Sequence, residues 1–284
     1  MQIFDNQLAL SACLETYISA KITIGFVPTM GALHDGHLSL LTTALKNNKL
    51  VVISIFVNPT QFNNPEDLEK YPRTLVSDIE KINTISENII LFTPTVTDIY
   101  KNHAESKHFD FDGLEFQMEG KFRPGHFNGV ATIVEMLFDI VKPTNAYFGE
   151  KDYQQLKIIE KLAKKSGRKI NVVAVPILRE SNGLAMSSRN ERLTHEERCN
   201  ASIIYEVLNE VKKMFNDPKT PLKKINDWVF KQFTKKAGIK IEYFQISDES
   251  TLIPCQRKSK IKNHRAFIAV HINNVRLIDT ISLK

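Results

Sequence analysis

The segment Pro28–His37 (Pro-Thr-Met-Gly-Ala-Leu-His-Asp-Gly-His) places two imidazoles, His34 and His37, three positions apart with Gly36 between them. At that spacing two side chains share one side of a helical turn. As hydrogen-bond donors they can follow the charge that develops on a transferring phosphate. The apolar run Ile22–Val27 before them reads as a buried strand, and the leucines of Leu38–Lys46 after them fall at helical spacing. A strand, a glycine-bearing turn and a helix start form a natural phosphate cradle, because backbone N–H groups and the helix dipole point at the anion. Gly36 lets a ligand approach the backbone closely. A cationic histidine is disfavoured at a helix N-terminus, so the pair has little structural reason to sit there. The arrangement suits a nucleoside triphosphate. A zinc site would need a third ligand, and none is placed by spacing.

Four further segments carry groups of the same character. Phe56–Phe62 (Phe-Val-Asn-Pro-Thr-Gln-Phe) follows the second apolar run, and ligands of open parallel sheets bind outside such strand ends. There Asn58 and Gln61 offer amide donors and acceptors to a hydroxy acid, although an Asn-Pro turn forms without any ligand. Glu119–Gly129 is a glycine-rich basic loop in which Arg123 serves equally as phosphate contact, subunit contact or loop cation. Phe148–Gln155 repeats the strand–turn–helix logic: Gly149 leaves backbone open, Lys151 supplies a point charge for phosphate oxygens, and Gln155 also fits as the capping partner of Asp152. Glu180–Asn190 contains the compact donor cluster Ser187, Ser188 and Arg189 on an expected mobile loop, and Arg189 can grip phosphate in fork fashion.

These groups need a scaffold. Apolar runs at Ile22–Val27, Leu50–Val57, Ile89–Phe92, Asn145–Phe148 and Ile170–Leu178 alternate with helical patterns at 37–46, 74–84, 126–141 and 153–166. That alternation predicts a parallel α/β sheet. After Leu178 two Lys-rich helices, about 195–215 and 221–236, precede strand-like runs at Ile239–Ser247, Arg265–Ile272 and Val275–Ile281. Helices followed by neighbouring strands predict a small α+β domain with an antiparallel sheet. The expected domains are 1–177 and 178–284.

Composition bounds the function classes. The 284 residues are 42% hydrophobic, but the longest apolar run, Val51–Val57, interrupted only by Ser54, is far short of a membrane span. The first twenty residues carry no basic residue and no long apolar stretch, unlike a secretory signal. Three widely spaced cysteines, Cys13, Cys199 and Cys255, favour a reducing cytoplasm over a disulfide scaffold. Residues 1–150 hold 11 Lys+Arg against 18 Asp+Glu, and residues 151–284 hold 27 against 14, giving a net charge of +6. The basic second half lacks aromatic interleaving and any nucleic-acid reading motif, so no nucleic acid is expected as partner. The anchors of P-loop enzymes, serine hydrolases and zincins are missing from the sequence.

Taken together and in order, Pro28–His37, Phe56–Phe62, Glu66–Arg73, Glu119–Gly129, Phe148–Gln155 and Pro176–Asn190 resemble the pantoate–β-alanine ligase family, within the nucleotidyltransferases that share a His-x-Gly-His motif. The resemblance spans most of residues 22–195. It implies a Rossmann-like N-terminal domain, a smaller C-terminal lid domain, a homodimer, and an ATP-dependent two-step ligation of (R)-pantoate and β-alanine through pantoyl adenylate, with Mg²⁺ travelling with ATP. It implies that Met30, Gly31, Ala32, Leu33, His34, Asp35, Gly36 and His37 line the ATP site, with His37 as proton donor. By the same resemblance Gly149, Glu150, Lys151, Asp152, Leu178, Met186, Ser187, Ser188 and Arg189 are expected to join that site. The resemblance further implies that Gln61 lies between pantoate and β-alanine and that Gln155 holds pantoate. The bottom-up chemistry assigns charge neutralisation to His34, His37, Lys151 and Arg189, and adds Asn58 to the hydroxy-acid pocket. Asn182 departs from the Asp usual before Gly-Leu-Ala-Met, while keeping the turn geometry. The alternative within the superfamily is an adenylyltransferase acting on a phosphorylated cofactor precursor.

Overall fold

The computed structural model of the chain describes residues 1–101, 103–234, 236, 238–259 and 261–284. They form two compact units: Met1–Gly149 with Gln155–Pro176, and Glu150–Gln154 with Ile177–Lys284. In the first, the order is β1 (Gln2–Phe4), α1 (Gln7–Ser19), β2 (Ile24–Thr29), α2 (Asp35–Asn47), β3 (Leu50–Ile55), α3 (Pro65–Glu69), α4 (Leu75–Ile85), β4 (Ile89–Phe92), α5 (Val96–Tyr100), α6 (Met118–Phe122), α7 (His126–Val141), β5 (Asn145–Gly149), α8 (Tyr153–Lys165) and β6 (Asn171–Val175). The first two residues of α8 group with the second unit.

All six strands are parallel, in the order β1-β4-β3-β2-β5-β6. The chain leaves β2 for β3 on one side, while β5 pairs with β2 on the other. The carboxyl ends of β3, β2 and β5 therefore flank the topological switch point, where ligands of doubly wound sheets bind. Strands read as apolar runs because both faces are covered: Val51, Val52 and Ile53 are wholly buried. One side packs on α2 through Leu40, Leu41 and Ala44. The expected parallel sheet is thus observed, with β1 and α1 added. The exposed Leu8 breaks the apolar stripe that would have announced α1.

The second unit contains α9 (His195–Asn200), α10 (Ile203–Asn216), α11 (Leu222–Phe233) and the antiparallel sheet β7 (Ile239–Asp248), β8 (His264–Ile272), β9 (Val275–Ser282) in that order. The single helix expected over 195–215 is two, broken after Asn200. Thr194 and Glu197 form the capping box that starts α9. The expected end of the next helix, at 236, runs past Lys235, which lies outside the described residues. Apolar faces of α10 and α11 (Val207, Leu208, Val211, Ile225, Val229) cover one face of this sheet. No helix among the described residues is long and apolar enough to cross a membrane.

Candidate active site

The turn between β2 and α2 is held by an acid far away in sequence. Gly31 and Ala32 both have positive φ, 86° and 49°. That conformation is unfavourable for alanine. Asp78 of α4, fully buried, accepts the Ala32 N–H at 2.9 Å and the Leu33 N–H at 2.8 Å. Lys81, one turn on, donates to the Leu33 carbonyl at 2.6 Å. Two N–H groups that the sequence reading leaves for a ligand are therefore committed to Asp78. The donors left on this turn are side-chain groups.

Those groups are the imidazoles. His34 is the N-cap of α2 and its Nδ1 accepts the Gly36 N–H at 3.1 Å, while His37 Nδ1 accepts the His34 N–H at 3.3 Å. This is a capping box built of histidines, with ring centroids 4.0 Å apart. An imidazole whose Nδ1 accepts carries its proton, when neutral, on Nε2. Both rings are thereby fixed as Nε2–H donors without needing a positive charge that the helix dipole would oppose.

At the end of β3, Asn58 caps a 3-10 turn, Pro59–Gln61. Asn58 and Gln61 are both buried, and Asn58 Nδ2 donates to Gln61 Oε1 at 3.0 Å and to the Gly129 carbonyl at 3.2 Å. Asn58 Oδ1 accepts from the Tyr100 hydroxyl at 2.6 Å. Gln61 Nε2 reaches Met30 Sδ at 3.1 Å, so the β3 and β2 turns meet through side chains. The Gln61 carbonyl accepts from His126 Nδ1 at 2.8 Å, and the Arg123 guanidinium donates to His126 Nε2 at 3.0 Å. Arg123 also pairs with Glu119 at 3.7 Å. Of the roles open to Arg123 from sequence, the contacts seen are to the backing of Gln61. Gln155 is half-buried near the start of α8. Gly149 needs no special φ, and a Cβ there would meet nothing within 4 Å. The fold itself does not require a glycine there.

In the second unit, Glu150, Lys151 and Asp152 form a 3-10 turn. Arg265 of β8 anchors it. Its guanidinium lies 3.3 Å from Glu150 Oε2 and 3.2 Å from Glu249 Oε1, and stacks 4.0 Å from the Tyr153 ring centroid. Lys151 is mostly buried and lies 3.8 Å from Asp152. The Leu178 carbonyl accepts the Met186 N–H at 3.0 Å, while its side chain stays exposed. Arg179 grips the buried Asp279 with bonds of 2.7 and 3.0 Å and donates to the Gly183 carbonyl at 3.0 Å. Burial pushes the Asp279 carboxyl up, opposed by Arg179 and more weakly by Lys151. Ser187 Oγ accepts the Arg189 N–H at 3.3 Å. Ser188 and Asn190 are buried, and Asn190 donates to Glu180 at 2.7 Å. These bonds lie within the loop that the sequence leads one to expect as mobile. Asn182 donates through Nδ2 to the Arg198 carbonyl at 3.0 Å, a bond that an Asp carboxylate could not make.

Sequence reasoning missed Asp78, Tyr100, His126 and Arg265 as supports of these groups. Among the described residues no group of three His, Cys, Asp or Glu is placed to hold a metal ion.

The family model described as pantoate-beta-alanine ligase matches residues 2–282. A pantothenate synthetase of Flavobacterium psychrophilum is 57% identical over 284 residues, covering 100% of both chains. That of Christiangramia forsetii is 50% identical over 283 residues, covering 100% of this chain and 99% of the relative. The crystal structure of pantothenate synthetase from Thermus thermophilus superposes with a TM-score of 0.91 at 35% identity, covering 100% of this chain and 99% of that one. A pantoate-beta-alanine ligase from Francisella tularensis, crystallised with beta-gamma ATP and beta-alanine, gives a TM-score of 0.82 at 37% identity, covering 100% and 98%. With the switch-point turns, the paired imidazoles and full-length likeness all in agreement, the chain belongs to the pantoate–β-alanine ligase family.

Proposed function

We propose that this protein joins (R)-pantoate to β-alanine in two ATP-dependent steps. The pantoate carboxylate attacks the α-phosphorus of ATP, the bond to the pyrophosphate oxygen breaks, and pantoyl adenylate forms. The β-alanine amine then attacks the acyl carbon, gives up a proton and expels AMP, leaving pantothenate. Such chemistry needs in-line positioning and charge neutralisation rather than a covalent enzyme intermediate.

The observation that carries this reading is the 3.1 Å contact between Gln61 Nε2 and Met30 Sδ. It sets a buried amide, suited to a hydroxy acid, beside the turn that presents the two imidazole donors. In the roles we assign, His34 and His37 donate to the phosphates, with His37 as proton donor, and Lys151 and Arg189 supply cationic charge. Met30 to His37, Gly149, Glu150, Asp152, Leu178, Met186, Ser187 and Ser188 complete the nucleotide contacts. Gln61 and Gln155 hold pantoate, with Asn58 beside Gln61. ATP and β-alanine as substrates accord with the ligands of the Francisella tularensis relative. Mg²⁺ arrives as part of the substrate, held largely by ATP phosphates. Residues 1–177 act as the ATP- and pantoate-binding domain and residues 178–284 as a lid, in a cytoplasmic homodimer.

The test is incubation with ATP, pantoate and β-alanine followed by identification of the product, together with pyrophosphate exchange. Exchange that requires pantoate, and pantothenate plus AMP as products, are expected. Exchange that ignores pantoate but requires a phosphorylated cofactor precursor would instead support an adenylyltransferase.

A further inference from the structure

The amide groups behind the hydroxy-acid site have only one consistent orientation. The Gly129 carbonyl can only accept, so the Asn58 atom 3.2 Å from it is Nδ2. The Thr60 N–H can only donate, so the atom 3.4 Å from it is Oδ1. The second hydrogen of Asn58 Nδ2 points to Gln61 at 3.0 Å, which requires Oε1 there. Gln61 Nε2 is consequently turned the other way, where its contact is the Met30 thioether. A thioether is a weak acceptor. A carboxylate or hydroxyl oxygen is a better partner for that buried N–H₂.

Tyr100 stands at the head of this chain. Its hydroxyl lies 2.6 Å from Asn58 Oδ1, closer than either contact from Thr60, at 3.1 and 3.4 Å. Burial pushes the Tyr100 hydroxyl above its ordinary range, with the Thr60 hydrogen bond opposing, so the group keeps its proton and remains a donor. We propose that Tyr100 is a positioning residue for the ligase reaction: through Asn58 it holds Gln61 with its N–H₂ presented to the oxygens of pantoate. Asn58, with both N–H hydrogens committed to the protein, acts in the same relay. Replacing the Tyr100 donor leaves Oδ1 with its two longer bonds, so Asn58 is held less firmly and the Gln61 N–H₂ is presented less precisely to an anionic substrate. This inference rests on the reading of Gln61 as a pantoate ligand.

The experiment is a double-mutant cycle with Tyr100→Phe and Gln61→Ala, reading KM for pantoate and for ATP, with thermal unfolding as a check on folding. Tyr100→Phe is expected to raise the pantoate KM about tenfold, the loss of about one oriented hydrogen bond, with the ATP KM unchanged. In the Gln61→Ala background Tyr100→Phe should add nothing, because the relay has lost its end. Equal increases in both backgrounds, or parallel rises in both KM values, would overturn the relay. Asn58→Asp, nearly isosteric, sets an acceptor against Gln61 Oε1 and should raise the pantoate KM at least as much; an unchanged value also overturns the relay. If Gln61→Ala itself leaves the pantoate KM untouched, the assignment of Gln61 to pantoate fails and takes the relay with it, an outcome distinct from equal increases in both backgrounds.

Discussion

Gly129 of α7 packs so closely against Thr60 that a Cβ at position 129 would stand 2.3 Å from the Thr60 carbonyl oxygen and 2.8 Å from the Gln61 Cα. Backbone cannot yield as a flexible side chain can. The same glycine supplies the carbonyl that orients Asn58. Gly129→Ala should therefore push the Pro59–Gln61 turn outward, cost about 1–3 kcal/mol of stability as overpacking does, and raise the pantoate KM more than the ATP KM. Chemical denaturation and steady-state kinetics check it. Unaltered stability would mean that α7 shifts freely, against the close fit seen here.

The histidine cap separates two roles of one residue. His37 Nδ1 accepts the His34 N–H, while Nε2 carries the proton of the neutral ring, the one assigned to the chemistry in our proposal. His37→Asn places an oxygen near the Nδ1 position and keeps the cap but has no Nε2–H. It should fold with stability close to the parent and lose roughly 10²–10³ in adenylate formation, as removal of an oriented donor does. His37→Ala should lose the rate as well and also about 1 kcal/mol of stability with the cap. Pantoate-dependent pyrophosphate exchange and thermal unfolding measure the two effects. A fully active Asn variant would remove the Nε2 proton from the mechanism.

The types of these groups are legible in the chain because each stands in a short local pattern: His34 and His37 around Gly36, Asn58 before Pro59, Gln61 two residues on. The parallel sheet is legible for the same reason, since each strand is an apolar run bounded by turn residues. What holds the groups is not local. Asp78 lies 45 positions from Leu33, Tyr100 is 42 from Asn58, and Arg265 is 115 from Glu150. A single acid, tyrosine or arginine carries no spacing signal, so only the fold reveals it. The break between α9 and α10 is hidden because apolar residues continue at helical intervals across Ala201, itself buried.

Arg265 offers a test of how the Lys151 turn is held. Its guanidinium, mostly buried, ties Glu150 to Glu249 and stacks on Tyr153. Arg265→Met retains an apolar stem over the ring but removes both ion pairs. Two acidic side chains then face one another with no cation between them. We expect about 2 kcal/mol of lost stability from the broken pairs and the lost stacking. The ATP KM should rise about fivefold, equivalent to about 1 kcal/mol, through displacement of Lys151. The pantoate KM should stay put, since Gln61 has none of these contacts. An ATP KM that holds steady while stability falls would show that the turn keeps its shape without Arg265.

Asp248 gives a pH signature of the second unit that is independent of catalysis. Burial raises its carboxyl pKa, but hydrogen bonds from the side chains and backbone of Ser250 and Thr251 outweigh this and bring it down to about 2, from an ordinary 3.8. A carboxyl whose folded pKa lies below its unfolded one stabilises the fold at pH above the unfolded value and loses that contribution as pH falls toward the folded value. Asp248→Asn should therefore be less stable than the parent at neutral pH by about 2 kcal/mol, the scale of hydrogen bonding to a charged acceptor. The gap should close between pH of about 4 and about 2, because only the parent loses stability there by protonation of this group. Denaturant unfolding of both proteins across that interval decides the matter. A gap that stays constant down to the acid limit would mean that the ionised carboxylate is not what organises the Ser250–Thr251 turn.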